Sequence, residues 1–254
     1  MVKLSGVVIT YNEERNIEKC LQSLADVVDE IVVVDSLSTD ATVAICKRFN
    51  VKIVEQPFLG YVEQKNFALQ QASHDYIVSL DGDEALSETL QKSIIDLKHN
   101  WKHDGYYCNR FNHFCGQWIK HSDWYPNKKL RVFDRRKAAW QGHHIHETIK
   151  IEGKSKNIGQ LKGDILHWTY RSYSEFNLKT EHFSTLSAQS YFELGKKAPL
   201  WKIVFHPLWA FFKAYILRLG FLDGFNGLVI CAQTANITFL KYIKLKELIK
   251  KQSY

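Results

Sequence analysis

The chain has 254 residues, of which 45% are apolar and 24% charged, enough for one large globular domain with an appendage. Its five cysteines contain no C-x-x-C pair, which argues against a disulfide framework or a cysteine-based zinc site and suits a reducing cytoplasm. After residue 195 the chain has ten Lys and Arg residues and two acidic residues, which give this region a net charge of +8. Because the whole chain has a net charge of +7, residues 1–195 carry a net charge of −1. We expect the basic region to meet an anionic membrane or nucleic acid, unless its lysines form a plain solvated helix face.

Strands and helices are predicted to alternate along the first hundred residues. Hydrophobic, β-branched runs predict strands over residues 4–10, 30–35, 51–55 and 76–80. Helical spacing of apolar residues and capping Ser, Thr or Asp side chains predict helices that begin near residues 17, 40, 61 and 88. This alternation is typical of an α/β fold with a mostly parallel sheet and helices on both faces.

Polar clusters follow three of these strands, at residues 10–14, 35–40 and 81–83. In open α/β sheets the carboxyl ends of parallel strands form the ligand crevice. Asp81 and Asp83, on one tight turn, suit Mg²⁺ or Mn²⁺ that shares its shell with phosphate, although a surface turn rich in Asp and Gly is the alternative. The sequence has no G-x-G-x-x-G and no Walker lysine, which disfavours dinucleotide and P-loop sites.

The amino-acid composition changes after residue 100. Residues 104–152 are rich in aromatic, His, Arg and Gly residues and predict an antiparallel extension with loops that face a ligand. From about residue 174 the chain is predicted to be helical again. Within residues 200–218, Lys202, His206 and Lys213 share one helical face among large apolar residues, which is typical of a helix in a membrane interface. The charges make a spanning helix costly, and a core helix packed on the rest of the protein is the alternative.

The three strand-end motifs, in this order and spacing, resemble glycosyltransferase family 2. The matching residues are Val8-Ile9-Thr10-Tyr11-Asn12-Glu13-Glu14, Ile31-Val32-Val33-Val34-Asp35-Ser36-x-Ser38-x-Asp40-x-Thr42 and Leu80-Asp81-Gly82-Asp83-Glu84. The resemblance covers residues 4–150 and implies the GT-A fold, a Rossmann-like nucleotide-sugar domain. Motifs at 146–147, 167–170 and 220–224 are similar to one branch, the lipopolysaccharide-core β-glucosyltransferases. We therefore expect a GT-A domain over residues 1–172 and a helical, basic and aromatic membrane-surface region over residues 173–254.

The resemblance implies a role for each matched residue. The residues that would bind the nucleotide sugar are Thr10, Tyr11, Asn12, Glu14, Asp35, Lys65, Asn66 and Asp81. Asp35 would accept a hydrogen bond from uracil, and Asp81 would hold the ribose or a metal-bound water. Mg²⁺ or Mn²⁺ would be held by Asp83 and Asp81, with His167 as a third ligand unless it is a buried structural histidine. The cation would stabilise negative charge on the departing diphosphate.

Transfer with inversion needs a base near the acceptor hydroxyl. In relatives of this kind an acidic residue stands at the position of Glu147, so the resemblance implies that Glu147 is the base. Asp123 and Asp134 are weaker candidates. The alternative role for Glu147 is a structural ion pair with Arg131 or Arg135.

Acceptor binding is expected from Lys129, Arg131 and His146. The first two belong to a basic stretch that would receive phosphates of the acceptor or of the donor diphosphate. This stretch comprises Lys128, Lys129, Arg131, Arg135 and Arg136. The histidines at 143, 144 and 146 lack H-E-x-x-H spacing, so we expect hydrogen-bonding loop residues rather than a zinc site.

These expectations combine into an inverting, metal-dependent transferase that moves a hexose, glucose, from a UDP-sugar to a lipopolysaccharide inner-core heptose. Its partners would be the UDP-sugar donor, a lipid-linked saccharide acceptor and the anionic inner face of the bacterial inner membrane, where it would lie peripherally on the cytoplasmic side. No nucleic-acid partner is expected, since no aromatic RNA-binding strand or helix-turn-helix cue appears. The alternatives are a polyprenyl-phosphate sugar synthase with a lipid phosphate acceptor, and a nucleotidyltransferase, which would need a Gly-rich loop near the first strand.

Overall fold

The computed structural model describes residues 1–142, 147–152 and 157–252, and it confirms the predicted α/β fold. Strands and helices alternate through residue 99. They are β1 (Leu4–Thr10), α1 (Ile17–Ala25), β2 (Glu30–Asp35), α2 (Thr42–Cys46), β3 (Lys52–Glu55), α3 (Tyr61–Gln70), β4 (Tyr76–Asp81), β5 (Glu84–Leu86) and α4 (Glu88–His99).

A second run of strands follows, and the rest of the described chain is helical. The strands are β6 (Gly105–Phe114), β7 (Gln117–Trp118), β8 (Asn127–Asp134), β9 (Ala138–Gln141), β10 (Thr148–Ile151) and β11 (Ile158–Tyr170). The helices are α5 (Tyr173–Glu193), α6 (Leu200–Phe212) and α7 (Gly224–Gln252), with a π turn over Lys213–Leu217 and a 3₁₀ turn over Gly220–Asp223.

The main sheet has the order β3-β2-β1-β4-β8-β6-β11-β5, and β7 pairs with β6. The first four strands are parallel, while β8 runs antiparallel to both β4 and β6, as predicted for the region after residue 104. Strand order reverses at β1, which lies between β2 and β4. Ligands bind at such switch points, beyond the carboxyl ends of the strands.

The strand register brings the polar strand ends together. Thr10, the last residue of β1, is paired with Asp35 of β2, and its neighbour Ile9 is paired with Asp81 of β4. Three segments that are 25 to 72 residues apart in sequence therefore converge at one edge of the sheet.

Side chains of the parallel strands alternate between two cores, which is why the strands read as continuous apolar runs. In β1, Leu4 and Val8 pack in a core with residues of α1 and α4, whereas Val7 packs with residues of α3 on the opposite face. The helices thus cover both faces of the parallel strands and fix the sheet edge that carries the polar clusters. All five cysteines are free thiols.

A β-bulge lies in the middle of β8. Tyr106 of β6 is paired with Val132, but the next residue, Tyr107, is paired with Leu130, so Arg131 has no opposite residue in β6. An extra residue in one strand re-aims its side chain, and bulges often lie beside active sites. The bulge lets Arg131 reach Asp81 and Glu84, as described below, although both of its neighbours are core residues.

By packing, the described chain divides into two compact units. Unit 1 comprises Met1–Phe111 and Asn127–Trp168, and unit 2 comprises Asn112–Pro126 and Thr169–Tyr254. The functional division predicted at residue 172 stays a prediction. Within unit 2, α5 starts one residue before the predicted position, with the Ser172 hydroxyl accepting a hydrogen bond from the Glu175 N–H at its N-terminus.

Helix α6 of unit 2 buries one narrow stripe and exposes most of its large apolar side chains. Ile203 and Pro207 are buried in its packing against α7, and His206 is hydrogen-bonded to the Tyr242 hydroxyl at 3.0 Å. Fourteen of the 26 exposed large apolar side chains of the described chain fall within residues 200–228. No single described helix is long and apolar enough to cross a membrane. Among the described helices, one pair, Leu200–Leu217 with Gly220–Gln252, reaches that length and composition when taken together, and the pair is bent by 71°.

Candidate active site

Two loops at the strand ends are tied together through Ser38. The Asp35 carboxylate accepts hydrogen bonds from the Ser38 N–H at 2.7 Å and the Ser38 hydroxyl at 2.5 Å. The Asn12 N–H donates to the same hydroxyl at 2.9 Å, and the Asn12 side-chain oxygen accepts from the Thr39 N–H at 2.8 Å. Ser38 was expected to help cap a helix, and it instead holds Asn12 beside Asp35. The carboxylate keeps lone pairs for a further donor.

The other residues predicted for the nucleobase and ribose lie in or beside these loops. Glu14 accepts from the Ala41 N–H at 3.1 Å, which joins the same two loops a second time. The Tyr11 ring is 57% exposed and is available for a ligand to stack on. Thr10 is buried, and its hydroxyl oxygen has no hydrogen-bond partner among the residues that the structure describes.

The turn after β4 passes very close to β1. A Cβ atom on Gly82 would lie 2.6 Å from the Thr10 Oγ1, a distance that real Cβ atoms do not tolerate. The Gly82 N–H donates to the Ile9 carbonyl at 2.9 Å. Glycine is required here because the acidic turn is pinned against the end of β1.

Asp81 lies between two cations. Lys65 Nζ is 3.0 Å from one of its oxygens, and Arg131 Nη2 is 3.0 Å from the other. Burial alone would raise the pKa of Asp81, but the charges of Lys65 and Arg131 outweigh it and hold that pKa well below its usual range. Asp81 is therefore a fixed anion at the centre of the crevice.

Arg131 also satisfies Glu84, which is completely buried. Its guanidinium donates to Glu84 at 3.1 Å, and Arg110 lies 3.5 Å from the same oxygen. The other Glu84 oxygen accepts from the Asp81 N–H at 3.0 Å, so Glu84 supports the acidic turn from below. Sequence reasoning missed this role. The signal was present, because an acid directly after a buried strand and the D-G-D turn needs a buried cation.

Glu147 forms an ion pair with Lys65, whose Nζ lies 3.1 Å away. The alternative prediction of an ion pair with Arg131 or Arg135 named the wrong cation. Lys65 is 3% exposed, bridges Asp81 and Glu147, and lies 4.4 Å from the centre of the Trp140 ring. The structure thus links a residue predicted for the nucleotide with the predicted base.

Tyr61 is a further member of this group that the sequence did not suggest. Its pKa is raised first by burial and then by the negative charges of Glu147 and both aspartates of the turn. Its phenol therefore lies near the acidic groups of the crevice.

The Asn66 side chain is hydrogen-bonded to the backbone of Trp140. Its side-chain N–H donates to the Trp140 carbonyl at 2.9 Å, and its oxygen accepts from the Trp140 N–H at 3.0 Å. Both polar groups of the amide hold β9 against α3, and the predicted nucleotide contact of Asn66 stays a prediction.

Asp83 and His167 are brought together. The Asp83 Oδ2 lies 3.3 Å from the His167 Nε2, and the Asp83 carbonyl accepts from the Trp168 N–H at 3.1 Å. No group of three or more His, Cys, Asp or Glu residues within the described ranges is arranged to hold a metal ion by itself. A pair of ligands fits Mg²⁺ or Mn²⁺, which completes its shell with substrate phosphate and water, and does not fit a closed structural site.

The basic stretch over residues 128–136, in and just after β8, divides into two groups. Lys128, Lys129 and Arg131 line a pocket of about 240 Å³ together with Glu147. Arg135 and Arg136 are turned to other partners, which are backbone carbonyls and the carboxylates of Asp75 and Asp134. The expectation that all five cations receive phosphate is wrong for the last two, because they stabilise the other end of the strand.

The remaining predicted residues are placed as follows. The weaker base candidate Asp134 is buried and paired with Arg136 at 2.7 Å. Asp123, the other weaker candidate, belongs to unit 2 and is paired with Lys213 at 3.1 Å and Arg218 at 2.8 Å. His146 lies outside the described residues, as do the histidines at 143 and 144.

The fold, with a polar crevice at the switch point of its α/β sheet, is that of a glycosyltransferase of the GT-A type. The profile of glycosyl transferase family 2 matches residues 5–156, and the chain belongs to that family.

Relatives extend the match over nearly the whole chain. The lipopolysaccharide core biosynthesis glycosyltransferase LpsC of Rhizobium meliloti is 30% identical over 250 residues, which cover 95% of this chain and 91% of LpsC. An uncharacterized glycosyltransferase of Rickettsia typhi is 31% identical and covers 98% of this chain and 88% of its own length. The crystal structure of S. aureus TarS 1–349 has a TM-score of 0.50 at 18% identity, covering 98% of this chain and 92% of that one, and supports the shared fold.

Proposed function

We propose that this protein transfers a hexose, glucose, from a UDP-sugar to a heptose of the lipopolysaccharide inner core, with inversion at the anomeric carbon. The observation that carries the proposal is the convergence of Asn12, Asp35, Asp81 and Asp83 at the switch point of the sheet. Similarity to LpsC directs the acceptor assignment to the lipopolysaccharide core. S. aureus TarS 1–349 has been crystallised with UDP-GlcNAc, so UDP-sugars are the donor class to test first.

In this proposal the two tied loops bind the nucleoside. Asp35 accepts the uracil N–H, since its buried carboxylate keeps acceptor capacity beyond Ser38. Tyr11 covers the base, and Asp81 faces the ribose while Lys65 and Arg131 hold it in place.

Asp83 and His167 are the residues that would hold Mg²⁺ or Mn²⁺. The bound cation would neutralise charge that develops on the leaving diphosphate. Gly82 allows the turn to approach β1, which keeps Asp83 on the same side of the crevice as Asn12.

Glu147 acts as the base. It lies on the wall of the 240 Å³ pocket, where an acceptor hydroxyl can approach it, and it takes the proton as that oxygen attacks the anomeric carbon. Lys65 fixes the carboxylate from behind at 3.1 Å.

We further propose that unit 2 docks the enzyme on the cytoplasmic face of the bacterial inner membrane. More than half of the exposed large apolar side chains lie within residues 200–228, and the end of α7 carries Lys241, Lys244, Lys246, Lys250 and Lys251. Apolar side chains beside a basic segment are the features that bind an interfacial helix to anionic lipid. A lipid-linked acceptor lies at that surface.

The test is sugar transfer by Glu147→Gln and Asp83→Asn. Glu147→Gln should lower kcat by about 10²–10⁴-fold while UDP affinity stays within about twofold, because the amide cannot take up the proton but keeps an oxygen that can accept from Lys65. Asp83→Asn should abolish the effect of Mg²⁺ on UDP affinity. Glu152→Gln and Asp96→Asn, at exposed positions, are matched controls that should behave as wild type.

Two results would contradict this account. Undiminished transfer by Asp83→Asn would remove the metal assignment. Undiminished transfer by Glu147→Gln would favour a polyprenyl-phosphate acceptor, which the basic lining of the pocket could also bind, since a phosphate oxygen attacks without a base.

A further inference from the structure

Three buried N–H donors around one pocket have no hydrogen-bond partner among the described residues. They are Arg131 Nη1, Trp140 Nε1 and Arg110 Nε, and all three side chains line the 240 Å³ pocket that Glu147 also lines. Native proteins rarely leave buried donors unsatisfied, because such groups lose their hydration without replacement. Their concentration at a single pocket points to a bound group rich in acceptor oxygens.

The charges of the same pocket lack balance. Glu84 and Glu147 already accept from Arg131 and Lys65. Lys128 and Lys129 have no carboxylate within 4.0 Å in the part of the chain that the structure describes. The pocket therefore presents more positive charge than its own acids offset.

The pKa of Lys129 reflects this excess of positive charge. Burial of this side chain, together with the positive charges of Arg110 and Arg131, lowers the pKa of Lys129 to about 8. An anion placed among these three cations would remove the repulsion and would supply acceptors to the unsatisfied donors.

We propose that this pocket binds a phosphate or carboxylate group carried by the acceptor saccharide, next to the hydroxyl that Glu147 deprotonates. The inference rests on the proposed function and deepens it, because it makes the acceptor an acidic saccharide. Arg110, Lys129 and Arg131 bind the anion, and the Trp140 indole N–H donates to it. The group stays unchanged in the reaction, and it orients the neighbouring hydroxyl toward the base.

The experiment compares acceptor forms. A deacylated, heptose-containing lipopolysaccharide core oligosaccharide is used untreated, after removal of phosphates by alkaline phosphatase, and after reduction of its carboxyl groups. Lys129→Gln should raise the KM for the untreated form about tenfold or more, the effect of one charged hydrogen bond, with UDP affinity unchanged. Lys129→Arg should restore the KM. Lys150→Gln, an exposed lysine on β10, controls for net charge.

The treated acceptors identify the anion. If phosphate is recognised, the KM of the wild type is higher for the phosphatase-treated acceptor than for the untreated one. With the phosphatase-treated acceptor, Lys129→Gln and the wild type should then have the same KM. A higher KM after carboxyl reduction instead assigns a carboxylate. An equal effect of Lys129→Gln on all three forms would overturn the proposal. So would a parallel loss of UDP affinity, which would assign the pocket to the donor diphosphate.

A binding measurement separates this inference from the proposed function. Inorganic phosphate is titrated into UDP-saturated protein and followed by ³¹P NMR line broadening. Wild type should broaden the signal, and Lys129→Gln should not. If no UDP-sugar supports transfer to any form but this difference appears, the proposed function fails and the anion pocket stands. Equal broadening by both proteins would overturn the pocket assignment even if transfer is observed.

Discussion

Replacing Lys65 with Met should destabilise the protein because it removes a buried cation from between two carboxylates. Lys65 is 3% exposed and lies 3.0 Å from Asp81 and 3.1 Å from Glu147. Loss of one partner of a buried ion pair costs about 3–5 kcal/mol. The carboxylates are 26% and 19% exposed and Arg131 still offsets Asp81, so we expect the lower end, about 3 kcal/mol.

The assay is urea unfolding, followed by tryptophan fluorescence. Adding Glu147→Gln to Lys65→Met should recover about 1 kcal/mol, because one of the two unbalanced carboxylates becomes neutral. Lys92→Met, at an exposed position of α4, is the matched control and should change the free energy of unfolding by less than about 0.5 kcal/mol.

The effect should also depend on pH. Because the pKa of Asp81 is lowered in the folded protein, its stabilising contribution is complete above its ordinary pKa of about 4 and is lost as pH falls below that value. The difference between wild type and Lys65→Met should therefore be constant above about pH 5 and shrink as the pH falls below about 4. A difference below about 0.5 kcal/mol at pH 7, or one that does not change with pH, would refute the reasoning.

Four further predictions address separate parts of the molecule. Gly82→Ala should cost about 1–3 kcal/mol and weaken UDP binding, because its Cβ would lie 2.6 Å from the Thr10 hydroxyl oxygen; wild-type UDP affinity would contradict the close approach. Ser87→Ala should cost about 1 kcal/mol, since the hydroxyl caps α4, without altering UDP affinity; unchanged stability would show that the cap contributes nothing. Phe205→Ser with Trp209→Ser should lower binding to vesicles of anionic lipid at least about tenfold, and equal binding would place the docking surface elsewhere. The KM for the acidic acceptor should rise above pH 8, as Lys129 loses its proton, and Lys129→Arg should abolish this rise; a rise that persists in Lys129→Arg belongs to another group.

The strand ends could be predicted because their signals are local. Apolar runs that stop at Asp or Asn identify parallel strands and their carboxyl ends, so the crevice of Asn12, Asp35 and Asp81 follows from order alone. The helix starts predicted at residues 17, 61 and 88 are confirmed, and one start differs. The predicted start near residue 40 lies two residues before the observed start at Thr42. The Asp40 carboxylate accepts a hydrogen bond from the Thr42 N–H at this helix start, whereas Ser38 binds Asn12 in the neighbouring loop.

The ionic network could not be predicted because it depends on distant residues and on one register shift. Arg131 reaches Asp81, 50 residues earlier in sequence, through a bulge that no composition signal marks. Lys65 was expected at the nucleotide, but its contact with Glu147 requires the placement of β10. Hydrophobic periodicity in the sequence predicts single strands and helices, whereas the contacts of Lys65 and Arg131 depend on how those strands and helices pack together.

The proposed function requires that a sugar nucleotide bind between Asp35 and a cation on Asp83. A crystal structure of the protein with Mn²⁺ and UDP, with the metal located by its anomalous signal, tests this most directly. We expect Mn²⁺ to be coordinated by Asp83 and the diphosphate, with the uracil N–H donating to Asp35. Mn²⁺ bound away from Asp83, or a uracil outside the loops of Asn12 and Asp35, would contradict it.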